Sequence, residues 1–230
     1  MTPLLLLVQL MSPDARAEGV FGLDWVPSGR GDLAWTEAGQ LSGDLVGELD
    51  GLINPPLTAF GGWMNGRDAA LFGLSGARLA TRSTGSDLKS INTVGTVRIA
   101  ADYRRYLTPR QPGMPSAYAQ GGLYAVLPVV RDASSALTED EQAAYDAAAS
   151  ETAARIGGVG GRLGLGAELA WDNGLSLGAR AMAAAHRASS ELDGVTTTST
   201  WIRGEAALEL SFVFGSRDRS GDSVAPNGEQ

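Results

Sequence analysis

The sequence predicts an all-β chain: an antiparallel up-and-down barrel of eight strands, or ten, with a short helix in one long loop. Three observations predict it. Apolar and polar residues alternate at period two from Leu41 to Phe214. Tight turns marked by Asn-Gly alternate with longer polar connections. The 230 residues are 43% hydrophobic, yet mean hydropathy is −0.04, so apolar residues are finely interleaved rather than blocked.

Composition removes several functions before any strand is drawn. There is no Cys and one His, which excludes a thiolate or multi-His metal site and a Cys nucleophile. A net charge of −8, with one lysine against 17 arginines and no basic patch, argues against nucleic acid. The 31 glycines, about twice the usual share, suit closely spaced strands.

The N-terminus reads as an address. Pro3 to Met11 is almost unbroken apolar sequence, and Ser12-Pro13-Asp14 ends it. Ala15-Arg16-Ala17 then supplies a small-x-small cleavage pattern. Residues 1–17 are expected to be a secretory signal peptide, its apolar core too short to span a bilayer. Residues 18–40, rich in aromatics and turn residues, are expected to form a periplasmic lead-in that packs on the barrel base or adds a strand pair.

The strands follow in order. Leu41–Asp50 alternates Leu/Gly against Ser, Asp and Glu. Residues 57–64 place Leu57, Ala59 and Trp63 opposite Thr58, Phe60 and Met64, then end in Asn65-Gly66. Residues 68–82 carry both Leu71/Leu79 and Phe72/Leu74, a mixed phase that predicts a bulge. Residues 94–107 place Val97, Ile99, Ala101 and Tyr103 opposite Arg98, Asp102 and Arg104. Residues 116–130 place Leu123 and Leu127 opposite Tyr118, Gln120 and Tyr124. Asp172-Asn173-Gly174 joins strands 160–171 and 175–188, which set Leu163, Leu165, Leu169, Trp171 and Leu177 against Arg162, Glu168, Arg180 and His186. The last strand, 199–214, sets Ile202, Leu208, Leu210, Phe212 and Phe214 against Arg203, Glu205 and Glu209. Thr138 to Ile156 is Ala- and Glu-rich, with a Thr138/Glu141 capping box, and predicts an exposed helix.

The charges decide which face is which. Short turns fall on one side of the sheet and the loops 83–93, 131–159 and 189–198 on the other. That asymmetry marks a transmembrane barrel. In lipid every backbone polar group needs an internal partner, so the sheet must close. The apolar faces then point outward. Arg98, Asp102, Arg104, Glu168, Arg180, Arg203, Glu205 and Glu209 point inward as a lumen ion-pair network. Trp63, Tyr103, Trp171, Phe212 and Phe214 share the short-turn level as membrane-interface aromatics.

With a signal peptide, eight alternating strands, Tyr103-Arg104-Arg105-Tyr106-Leu107-Thr108-Pro109 and a last strand ending Leu208-Glu209-Leu210-Ser211-Phe212-Val213-Phe214, residues 41–214 resemble the small outer-membrane β-barrels of diderm bacteria, the OmpA/OmpW-like group. The resemblance implies an outer-membrane location with periplasmic termini. It implies outer-membrane lipid and the barrel-assembly machinery as partners. It also implies that Phe214 is the aromatic that machinery reads, although residues 215–230 follow as a polar tail expected to be disordered.

Chemistry is sparse. Gly157-Gly158-Val159-Gly160-Gly161 lacks the Lys and Ser/Thr of a phosphate loop. His186 with Ser189 or Ser190 and Glu191 would make a hydrolase triad only if the three converged in space. The expectation is therefore no enzyme, no cofactor, no metal and no nucleic acid. The chain is expected to have a structural, adhesive or envelope-organising role and a filled lumen. Three alternatives stand beside it: a lipid-modifying barrel enzyme, a narrow transporter of small apolar molecules whose lumen opens sideways, and a secreted soluble β-sandwich. The sequence also predicts that Leu210→Arg blocks assembly while Glu209→Gln is milder.

Overall fold

A computed structural model describes residues 17–26, 33–36, 39–40, 53, 55–82, 91–131, 138–192 and 195–215. The strands are β1 (Glu18–Trp25), β2 (Leu33–Thr36), β3 (Gly39–Gln40), β4 (Leu57–Asn65), β5 (Asp68–Arg82), β6 (Ile91–Tyr106) and β7 (Pro115–Arg131). Helix α1 (Glu139–Ile156) follows, then β8 (Gly158–Ala170), β9 (Leu175–Leu192) and β10 (Val195–Phe214). Eight of these strands close a wall in the order β1-β4-β5-β6-β7-β8-β9-β10, and β10 pairs back onto β1. Closure removes the sandwich alternative, since a sandwich keeps two sheets with open edges.

Register fixes the geometry of the wall. A walk across hydrogen-bonded partners runs Phe214, Gly19, Trp63, Ala70, Tyr103, Gly121, Leu163, Ala183, Gly204. It leaves β10 at Phe214 and returns to β10 at Gly204, so the shear is 214 − 204 = 10 residues. With a rise of about 3.3 Å per residue and about 4.8 Å between strands, that shear tilts the strands by about 41°. At that tilt the outward apolar stretch of β10, Ile202 to Phe214, spans roughly 30 Å, the thickness of a hydrocarbon core.

The wall differs from the expectation at three places. First, its eighth strand is Glu18–Trp25, which the sequence reading assigned to the lead-in; the strand expected at 41–50 lies outside the described residues. In β1, Phe21, Leu23 and Trp25 face outward while Val20 and Asp24 are buried. An apolar Val20 on the lumen side and glycines at 19 and 22 weaken the period-two contrast of this strand. Second, β5 carries no bulge: Asp68 to Arg82 pair one-to-one with Arg105 to Ile91. Its two apolar faces arise because the lumen beside it is apolar, with Leu71 packed among Val20, Phe60, Met64, Ala69, Tyr106 and Tyr118. Third, residues 189–198 are mostly ladder: β9 and β10 stay paired up to Leu192 and Val195. The hairpin β2–β3 adds to this taller region, with β2 pairing Ser199–Ile202 of β10, while β1 pairs Leu208–Phe214.

Helix α1 starts at Glu139, as expected, but it is not wholly solvated. Ile156 is fully buried and Ala153 nearly so. Ile156 packs with Ile53, Val94, Ala100, Tyr124, Val126 and Trp201. The last turn of α1 thus caps the long-loop end of the lumen. The Ala153 carbonyl accepts the Gly157 N–H at 2.9 Å as the chain turns into β8.

Candidate functional site: a charged lumen in an apolar wall

Alternation within each strand sends one set of side chains inward and the other outward. The outward set includes Leu123, Leu163, Leu165, Leu177, Leu208 and Leu210, with Leu163 70% exposed and Leu210 47%. The inward set includes Arg98, Asp102, Arg104, Glu168, Arg180, Arg203, Glu205 and Glu209, each at most 8% exposed. A soluble protein would reverse this order, because charges prefer water and leucine prefers a core. The arrangement belongs to a sheet whose outer surface meets hydrocarbon.

The inward charges form two layers. Near the short turns, the Arg104 guanidinium grips Glu209 with two hydrogen bonds, at 2.8 Å to Oε1 and 2.5 Å to Oε2. Its Nε donates to Gln120 Oε1 at 3.0 Å, and its carbon lies 4.1 Å from the Tyr118 ring centre. Arg180 reaches Glu209 at 3.4 Å and Asp24 at 2.6 Å. Glu168 lies 3.5 Å from Arg104 and accepts from Arg110 Nε. In the second layer Arg162 clamps Asp102 through Nε, at 2.9 Å, and Nη2. Glu205 draws in Arg203 at 2.5 Å, Arg98 at 3.5 Å and Arg162 at 3.7 Å. Arg98 also stacks on Tyr124, 4.0 Å from the ring centre.

All eight lumen residues singled out in the sequence therefore meet in these two layers. Sequence reasoning missed Asp24, Arg110, Gln120 and, as a network member, Arg162. Arg162 shares the alternation phase of Glu168, a signal that was present. Asp24 lies in β1, which the sequence reading placed in the lead-in, and Arg110 lies in the turn between β6 and β7.

Four aromatic rings are seated on glycines of the neighbouring strand. Tyr118 faces Gly166, Tyr124 faces Gly160, Phe60 faces Gly22 and Phe214 faces Gly19. A Cβ on any of these glycines would sit within 2.5 Å of the ring. The rings replace the missing side chains and cover the strand backbone. This seating lets Tyr124 cross Gly160 and stack on His186, with ring centres 5.7 Å apart and 7° between planes.

The membrane-interface aromatics fall at one end. Phe214, Trp63 and Tyr103 lie on one hydrogen-bonded row, with Gly19 and Ala70 between them. Phe212 stacks on Phe214, and Trp171 stands at the neighbouring turn. Of the cleavage pair, Ala17 is exposed just before β1, and Ala15 lies outside the described residues.

The Ser189 form of the triad is not assembled, and the side chains of Ser190 and Glu191 lie outside the described residues. His186 points into the lumen, and its ring nitrogen Nε2 lies 2.8 Å from the Ile156 carbonyl at the end of α1. Ser189, on the opposite face of β9, is exposed outward. Among the described residues no three His, Asp or Glu side chains form a group that would hold a metal ion. No described helix is long and apolar enough to cross a membrane.

No protein-family profile matches the chain, and no curated protein matches it. Solved structures with similar architecture include the outer membrane protein OprG from Pseudomonas aeruginosa, at 9% identity and TM-score 0.48, covering 88% of this chain and 97% of that one. The outer membrane protein AlkL, solved by solid-state NMR in lipid bilayers, shares 13% identity at TM-score 0.44, over 88% and 92% of the two chains. Ail, the attachment invasion locus protein of Yersinia pestis, solved with a heparin analogue, shares 10% identity at TM-score 0.35, over 84% and 97%. These similarities concern the fold.

Proposed function

We propose that the chain is an outer-membrane β-barrel with a structural, adhesive or envelope-organising role, sealed to solutes and without catalytic activity. One observation carries this reading: the lumen is occupied across two layers by paired charges, with Arg104–Glu209 at the centre of one and Arg162–Asp102 in the other. A small eight-stranded barrel has an interior just wide enough for its own side chains to fill. The apolar last turn of α1 lies over the same lumen. What remains for a partner is the exposed outer part of α1 and the tall β9–β10 ladder. The separation of His186 from Ser189 supports the non-enzymatic reading.

Planar-bilayer recording on the purified full chain tests it. A sealed barrel gives no steady conductance step above the bare bilayer. Stable, salt-proportional steps from the wild-type protein would overturn the reading and return the chain to the transporters.

A further inference from the structure

We propose that the outer rim of the β5–β6 pair, at the short-turn end, docks the headgroup of an anionic glycerophospholipid. The inference rests on the membrane-spanning reading of the wall and adds a specific lipid contact to it. Arg105 continues the outward phase of Ile99, Ala101 and Tyr103, one step beyond the aromatic row. Its side chain is 61% exposed. Directly opposite, Asp68 accepts from Arg105 Nη1 at 3.3 Å and from the Tyr103 hydroxyl. The carboxylate holds the guanidinium against the wall by one edge. A guanidinium has five N–H donors in a fixed fork, so a bidentate face remains for a phosphate.

Arg67 stands next to this pair. It is exposed in the Asn65–Gly66 turn, and its carbonyl accepts the Tyr106 N–H at 2.7 Å, which fastens the turn to the end of β6. Two arginines thus flank one carboxylate, an excess of one positive charge. Among the described residues, these are the only exposed basic side chains at this rim; Arg110 is drawn inward to Glu168. The half-buried Glu18 belongs to β1 and the exposed Asp172 to the turn between β8 and β9. Toward the bilayer, Trp63 and Phe72 meet edge-to-face at 5.8 Å and are both about half exposed, giving an apolar platform for the glycerol and upper acyl chain. A cationic fork above an aromatic platform, at the level where lipid phosphates lie, fits a lipid rather than a soluble anion.

The test is native mass spectrometry of the full chain in detergent with added phosphatidylglycerol. Wild type retains the lipid. Arg67→Gln/Arg105→Gln loses at least about fivefold in occupancy, the discrimination one interfacial arginine supplies. Arg67→Lys/Arg105→Lys keeps the charge but not the bidentate face and falls between wild type and the Gln double variant, and Asp172→Asn changes nothing. Equal occupancy in wild type and the Gln double variant overturns the proposal. Displacement of the lipid by inorganic phosphate also overturns it, because the site would then serve a free anion. Should the Gln variant fail to fold, salt decides on wild type alone: retention must weaken as salt rises, and salt-independent retention overturns the proposal. A heat-dependent gel shift in the same samples separates the two levels. Its absence from wild type fails the membrane reading, whereas its presence with lipid binding unchanged by the substitutions fails only this inference.

Discussion

Glu209 holds two arginines at once, and the energetics of the lumen turn on such residues. Removing one partner of a buried pair leaves an uncompensated charge and costs about 3–5 kcal/mol. Glu209→Ala leaves Arg104 with Glu168 and Arg180 with Asp24 and removes the carboxylate between them. It should lower the unfolding free energy of the vesicle-inserted protein by up to about that amount, read from a urea titration followed by tryptophan fluorescence. Glu209→Gln keeps an acceptor oxygen for Arg104 and should lose less. Leu210, the next residue, faces the other way. An arginine there meets hydrocarbon at about 2–4 kcal/mol and should block insertion. Glu209→Gln should still insert, so insertion yield separates the two faces of β10; equal yields would contradict the inside–outside assignment. The seated rings supply a second prediction. Gly166→Ala pushes a methyl into Tyr118, displacing the ring that lies under Arg104, and should destabilise by about 1–3 kcal/mol. Gly204→Ala, where nothing lies within 4 Å, should be close to neutral in the same unfolding assay.

At the scale of elements, α1 divides into two parts. Its last turn is a cap, buried through Ile156 and tied to His186, while its earlier turns are mostly exposed. Ile156→Asp should loosen the cap and make the long-loop end accessible to trypsin in intact vesicles, whereas Ala147→Ser, at an exposed position of the helix, should not. The sequence made the strands from β6 to β10 legible because their lumen residues are charged and their outer residues are apolar. Contrast between the faces is what period-two reading detects. It faltered where that contrast vanished. β5 presents Leu71 inside and Phe72 outside, and β1 presents Val20 inside and Phe21 outside, so each looks apolar on both faces. The upper β9–β10 ladder reads as a loop because Thr and Ser dominate it; pairing with a neighbour, not burial of apolar side chains, keeps it extended. The lumen charges were legible as a group. Their partners were not, because Arg104 and Glu209 are 105 residues apart and meet only when the barrel closes.

The whole molecule is one closed sheet with two environments. Closure satisfies the backbone within the ladder, and this permits a surface of leucine and aromatics to face lipid. Charges excluded from that surface are neutralised in pairs inside, where they fill the lumen. The apolar wall and the filled lumen are therefore two outcomes of one alternation, and the central claim is that this barrel folds in a membrane. A cold-versus-boiled SDS gel on the membrane fraction of cells expressing the full chain tests it most directly. The account predicts a band extracted only with detergent that migrates faster unboiled than boiled. A band recovered in the soluble fraction, with the same mobility before and after boiling, would contradict it.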